Sequence, residues 1–201
     1  MKKIILLLLL SVGLNAQNKF QADAAGASEF RGLINSSDAY FLSVDFSTVA
    51  EFKSGAGEYV NFYPAELKNL NTNAVTKGLK VMMKIDVPIK LPDGKTAQNF
   101  LFRSILLDAS DVKAFIAFLE KNVASKVGKA DKKDPKMDET TIKFKEVIFS
   151  YTSQAGRERV TMYARDYGVT GRDNGEAFIE FWTESQVDKL PVLLSVLKKI
   201  I

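Results

Sequence analysis

Apolar and polar residues alternate from Lys80 to Val87, and this is the strongest pattern in the chain. Valine, methionine and isoleucine occupy the odd positions, and lysine or aspartate occupies most of the even ones. Alternation with a period of two predicts a strand with one buried face and one exposed face. Pro92, Asp93 and Gly94 follow and favour a turn. We therefore expect a hairpin at this point.

The second arm of this hairpin, residues 100–107, is apolar on both faces apart from Arg103 and Ser104. Such a strand is typical of the middle of a sheet, where both faces are covered. Asp108 or Ser110 is placed to cap a helix directly afterwards. Apolar residues then recur at helical spacing: Val112, Phe115, Ile116, Leu119 and Val123.

The segments before the hairpin carry weaker patterns. Phe30, Leu33 and Ile34 indicate a short amphipathic helix within residues 28–34. The loose alternation over residues 39–47 predicts a strand. Glycines, Pro64 and an asparagine-rich run interrupt residues 49–77. We expect only short pieces and loops in that stretch.

The C-terminal part predicts strands followed by a helix. Residues 141–152, 157–166 and 176–183 indicate three antiparallel strands with turns between them. An apolar stripe then runs to Ile201 and predicts a helix. Ser185 and Asp188 have the spacing of a capping box, and Pro191 belongs in the first turns of this helix.

Strands followed by an apolar-striped helix thus occur on both sides of a charged segment. We predict an α+β fold, with an antiparallel sheet and two main amphipathic helices on one face. Its parts are a strand-helix unit (residues 17–125), a charged connector (126–139) and a three-stranded meander with a C-terminal helix (140–201). We expect residues 17–201 to form one compact domain. The shared order also suggests an internal duplication, although any α+β chain alternates strands and helices.

Residues 1–16 have the three-part pattern of a secretory signal peptide. Lys2 and Lys3 precede an apolar run from Ile4, and Ala16 is the small residue that cleavage favours. The run is much shorter than the roughly 20 residues that span a bilayer. Because the chain has no cysteine to carry a lipid, we expect a free, exported, periplasmic or secreted protein without a membrane anchor.

Removal of the signal peptide changes the charge of the chain. Without Lys2 and Lys3 the basic residues fall from 28 to 26 against 24 acidic ones, so the net charge falls from +4 to +2. A nearly neutral protein lacks the basic excess that is typical of nucleic-acid binding. We therefore expect no nucleic-acid partner.

The missing residue types exclude several enzyme classes. With no histidine and no cysteine, the chain cannot form a Ser-His-Asp or Cys-His nucleophile, a zinc site of the usual ligands or a redox dithiol. We expect no cofactor. A hydrolase that uses carboxylates or a Ser-Lys pair stays open as an alternative. Glu176 and Glu180 share a strand face, but their backbones lie about 14 Å apart, beyond the glycosidase spacing of about 6.5–9.5 Å.

Asp166, Asp173 and Glu176 flank the last predicted hairpin and form the best cluster of oxygen ligands, together with Asn174. Such ligands suit a hard cation such as Ca²⁺. Their spacing does not match the EF-hand loop, however, and aspartate and asparagine are also ordinary turn residues. The metal site is a hypothesis that a thermal melt with added calcium tests, since an unchanged midpoint contradicts it.

Aromatic and basic residues alternate with apolar ones along the last two strands. If Val160, Met162 and Ala164 face the core, the intervening residues face outward. One allowed register then pairs Arg165 with Glu176, Tyr163 with Phe178, Thr161 with Glu180 and Arg159 with Trp182. Arginine and aromatic side chains on an exposed face have the composition of a recognition surface.

We therefore predict a non-catalytic binding or accessory protein that recognises a protein or a saccharide. Its binding residues are Arg159, Tyr163, Arg165, Phe178 and Trp182. The alternative for this face is that another element covers it. Phe178 and Trp182 would then belong to the core.

Overall fold

The computed structural model describes residues 39–144, 146–165 and 178–201, together with Phe30, Leu33 and Ile34. The predicted signal peptide lies outside these residues. The described strands and helices are β1 (Tyr40–Val44), β2 (Ala50–Lys53), β3 (Tyr59–Asn69), β4 (Val75–Lys90), β5 (Thr96–Asp108), α1 (Ala109–Phe118), β6 (Asp138–Lys143), β7 (Val147–Gln154), β8 (Arg157–Arg165), β9 (Phe178–Thr183) and α2 (Leu190–Lys198). The predicted α+β fold is confirmed.

The strands divide into two antiparallel sheets. Sheet A has the order β1-β3-β4-β5, with β2 also paired to β3, and curls into a half-barrel. Sheet B is the meander β6-β7-β8-β9. One cluster of buried side chains includes residues from both sheets and both helices. In each half of the chain, strands precede a helix, but the described strands number five in sheet A and four in sheet B. The internal duplication of the chain stays a prediction.

β4 and β5 form the predicted hairpin. Their pairing is continuous from Gly78 opposite Asp108 to Lys90 opposite Thr96. The odd-numbered apolar residues of β4 from Leu79 to Val87 are buried, as the alternation predicts. Gly94 has a φ of +81°, which the tight turn requires and which glycine adopts without strain.

The prediction that residues 100–107 form a central strand is wrong. Among the described strands, β5 pairs with β4 alone and lies at the edge of sheet A. Phe100 and Phe102 are 42% and 62% exposed. The sequence pattern shows that a strand is apolar, but it does not show whether a neighbouring strand covers it.

A long strand, β3, occupies residues 59–69, where we expected only short pieces. Pro64 lies in its middle without breaking it. β2 pairs with residues 59–62 and β1 with residues 65–69, both on the same side of β3. The Pro64 carbonyl faces this side and accepts a hydrogen bond from the Asp45 N–H at 3.0 Å. An N–H group at this position would point the same way, into the gap between β1 and β2. Because no described strand pairs there, the absence of an N–H on Pro64 costs the sheet no hydrogen bond.

Residues 141–152 contain two strands rather than the single strand predicted. The turn between β6 and β7 is closed by a hydrogen bond from the Phe144 N–H to the Val147 carbonyl at 2.8 Å. Within the described ranges the meander consequently has four strands. No glycine, proline or asparagine marks this turn in the sequence, so the pattern of turn-forming residues did not reveal it.

Both helices occur where the sequence predicts them. Asp108 caps α1 by accepting a hydrogen bond from the Asp111 N–H at 3.1 Å. Pro191 lies in the first turn of α2. The predicted capping box at Ser185 and Asp188 is absent: a 3₁₀ turn precedes α2, and no described side chain caps either of them. Within the described ranges, no helix has the length and apolar character needed to cross a membrane.

Candidate binding face on sheet B

The last hairpin has the two faces that the sequence predicts. The inward residues of β8 and β9 are buried: Val160, Met162, Ala164, Ile179 and Phe181. Trp182 faces outward and is 46% exposed, and Phe178 is half-buried. These two aromatic side chains are therefore not part of the buried core.

The pairing of β9 with β8 is shifted by two residues from the predicted register. Arg165 lies opposite Phe178, Tyr163 opposite Glu180, and Thr161 opposite Trp182. A shift of two residues keeps every side chain on its original face. The alternation alone therefore cannot distinguish the two registers.

A depression of about 280 Å³ opens on the outward face of sheet B. Its lining is mostly polar: Met137, Glu139, Thr152, Gln154, Arg157, Arg159, Thr161, Tyr163, Glu180 and Glu184. Thr161 and its cross-strand neighbour Ser150 are 3% and 1% exposed, although they face outward. Short side chains at the centre of the sheet, surrounded by long ones, account for the concave shape.

Arg159 is held between Glu184 and Trp182 at one side of the depression. Its Nε and Nη2 donate to the same Glu184 carboxylate oxygen, at 3.2 and 2.8 Å. Its guanidinium carbon lies 4.4 Å from the centre of the Trp182 ring. The ion pair and the cation–π contact together hold an aromatic surface beside the depression.

Glu139 lies at the other side of the depression, on β6. One of its carboxylate oxygens accepts hydrogen bonds from the Ser150 hydroxyl at 3.0 Å and from the Thr141 hydroxyl at 3.1 Å. The two hydroxyl oxygens are 2.8 Å apart, so either hydroxyl is within reach to donate to the other in place of Glu139. This small network fixes the Glu139 carboxylate before any ligand arrives.

The Tyr163 side chain lies in an acidic part of the depression. Burial raises the pKa of Tyr163, and the charges of Glu180 and Glu139 raise it further, while Arg159 acts in the opposite direction. The phenol is therefore protonated at neutral pH and is a hydrogen-bond donor.

The depression includes some of the predicted binding residues and not others. Arg159 and Tyr163 line it, and Trp182 adjoins it through Arg159. Arg165 and Phe178 lie opposite each other on the same face but are not part of the lining.

Sequence reasoning missed the lining residues outside the last hairpin. Glu139 is one of them, and it alternates with Thr141 and Lys143 along β6. The alternation places Glu139 on the outward face of β6, but the sequence could show this only if β6 was recognised as a strand separate from β7.

The predicted metal ligands Asp166, Asp173 and Glu176 lie outside the described residues. Within the part of the chain that the structure describes, no group of three or more acidic side chains is arranged to hold a metal ion.

Comparison of the chain with protein-family models, with curated proteins and with solved structures found no match. The fold and the site alone therefore define the class of protein. It is an α+β protein with two antiparallel sheets and a polar depression on the outward face of sheet B.

Proposed function

We propose that this protein is an exported, non-catalytic binding protein and that the depression on sheet B holds a saccharide. The observation that carries the proposal is the lining, in which hydrogen-bonding groups of both charges lie beside the exposed ring of Trp182. A sugar presents hydroxyl groups that pair with carboxylate, guanidinium and phenol groups. It also presents apolar C–H faces that pack on an aromatic ring.

The composition of the lining favours a saccharide over a protein partner. The centre of a protein–protein interface is depleted in acidic residues, whereas three glutamates line this depression. Five charged residues line this depression, and Met137 is the one aliphatic apolar side chain among the described lining residues. The volume of about 280 Å³ lies near the lower limit for ligand pockets, about 300 Å³. That size suits a short saccharide or the end of a longer one.

The charges of the lining restrict the class of saccharide. Three carboxylates and two guanidinium groups face the depression, and Glu184 is already paired with Arg159. The charges that remain are those of Glu139, Glu180 and Arg157, so two carboxylates outweigh one guanidinium group and the local charge is negative. An anionic sugar is disfavoured there, so we expect neutral sugars or amino sugars to bind better than uronates.

Calorimetric titration with three probes tests the proposal: a glucose oligomer, a glucosamine oligomer and a galacturonate oligomer. We expect at least one of the first two to bind, and to bind more tightly than the third. Trp182→Ala should weaken binding by about 30-fold, the equivalent of about 2 kcal/mol for an aromatic anchor. Phe41→Ala is the matched control, because Phe41 is an aromatic residue of sheet A that is 60% exposed.

Two results contradict the proposal. One is the absence of binding by all three oligomers. The other is a Trp182→Ala variant that binds the oligomers as tightly as the unaltered protein does.

A carboxylate hydrolase is the second candidate, favoured by one observation. Glu139 and Glu180 line the same depression, and a glycosidase uses two carboxylates. Their strands are three positions apart in sheet B, about 14 Å between backbones. The carboxylates therefore reach the glycosidase spacing only if the side chains lean towards each other.

Incubation with the same oligomers separates the two candidates. Release of reducing ends that either Glu139→Gln or Glu180→Gln abolishes supports the hydrolase. Binding without any product supports the binding protein.

A further inference from the structure

The outer edge of β5 is a second surface with a distinctive composition. All thirteen residues of β5 pair with β4 without a bulge, and no other described strand pairs with β5. Proteins usually protect an exposed edge with charged residues, proline or a bulge. Between Thr96 and Leu107, Arg103 is the only charged residue, and proline does not occur.

The side chains of β5 have the apolar composition expected of a strand with a neighbouring strand on each side. Phe100 and Phe102 share one face and are 42% and 62% exposed, whereas Arg103 faces the core and is 7% exposed. The Lys84 amine lies 3.8 Å from the centre of the Phe100 ring, but both rings still present apolar surface to solvent. One further strand beside β5 would cover this surface and complete the backbone pairing.

We propose that this further strand is β5 of a second copy of the chain, antiparallel to the first about a two-fold axis at Leu101. In this register Phe100 of each copy lies opposite Phe102 of the other, and Arg103 lies opposite Asn99. Aromatic residues thus pair with aromatic residues, and no like charges meet across the strands. This self-complementarity is the argument for a second copy rather than another partner.

The backbone groups on the edge of β5 have the directions that this register requires. The Phe100 N–H bonds to the side chain of Asn99 at 2.9 Å, and the Phe102 carbonyl accepts from the Arg103 side chain at 3.3 Å. Both bonds are local side-chain contacts on the edge away from β4. In the dimer, hydrogen bonds between Phe100 of one copy and Phe102 of the other replace them.

The lack of cysteine in the chain allows disulfide cross-linking to test the register. At the two-fold axis Leu101 lies opposite itself in a non-hydrogen-bonded pair, with Cα atoms about 4.5 Å apart. That separation is within the range for a disulfide, about 4.4–6.8 Å. Leu101→Cys should therefore form a covalent dimer under mild oxidation. In Asn99→Cys, the matched control, the two cysteines lie about 14 Å apart and should not cross-link.

Sedimentation equilibrium measures the mass of the assembly. We expect twice the monomer mass for the unaltered protein. Phe102→Lys should have the monomer mass with an unchanged circular dichroism spectrum, because edge lysines block strand pairing. Phe41→Lys, with the same change at an exposed aromatic residue of β1, should remain dimeric.

Three results overturn this proposal: a monomeric unaltered protein at all concentrations tested, a dimer that survives Phe102→Lys, or Asn99→Cys that cross-links as well as Leu101→Cys. The last two results show that association uses a different surface or a different register. If Phe102→Lys does not fold, the two cysteine variants decide.

Discussion

Tyr163 shows how the surroundings of one residue change its chemistry. The alternation of apolar and polar residues predicts that the Tyr163 side chain faces outward from its strand. The structure adds its partners, since the shift of two residues in β9 places Glu180 opposite it instead of Phe178. A binding residue can thus be predicted from its face, while its chemical environment depends on a register that the pattern leaves open.

Glu180→Gln should lower the pKa of Tyr163. The substitution removes a negative charge that disfavours the phenolate, while the contribution of burial remains. Phenolate absorbance measured as a function of pH gives the pKa, and Tyr163→Phe supplies the background of the other tyrosines. An unchanged Tyr163 titration would show that Glu180 does not act on this residue.

At the level of secondary-structure elements, the sequence correctly predicted the features that depend on neighbouring residues alone. The alternation in β4, the turn at Gly94 and the cap at Asp108 all occur where the sequence indicates. β3 was missed because Pro64 normally interrupts a strand, and only the arrangement of β1 and β2 makes it harmless there. The position of β5 at an edge is likewise a property of the whole sheet.

Gly78 of β4 lies close to the Phe30 side chain and to the backbone of β5, so a substitution there should change stability. Phe30 is fully buried and packs with Ala65, Leu67 and Leu106 on the outer face of sheet A. A Cβ atom at Gly78 would lie 2.6 Å from the Phe30 ring and would also collide with the Leu107 carbonyl oxygen. Gly78→Ala should therefore lower the free energy of unfolding by about 1–3 kcal/mol.

Urea denaturation of two glycine variants tests this role. Gly55→Ala is the control, because a Cβ atom there meets no atom within 4 Å. We expect a midpoint close to that of the unaltered protein for Gly55→Ala and a clearly lower midpoint for Gly78→Ala. Equal midpoints for both variants would contradict the proposed packing of Phe30 on Gly78.

At the level of the whole molecule, the sequence predicted the α+β class but not the division of the strands into two sheets. Hydrophobic patterns show which face of a strand is buried, whereas the choice of neighbouring strand depends on distant parts of the chain. The depression shows the same limit, since Glu139 on β6 and Glu180 on β9 belong to strands that are well separated in the sequence. Export remains a proposal from the first sixteen residues.

Trp182 is the only tryptophan in the chain, so intrinsic fluorescence reports directly on the proposed saccharide site. The unaltered protein is titrated with the glucose, glucosamine and galacturonate oligomers while tryptophan emission is recorded. We predict a saturable change in emission with a neutral or amino-sugar oligomer and a smaller change with the galacturonate oligomer. Emission that stays constant with all three oligomers would contradict saccharide binding beside Trp182.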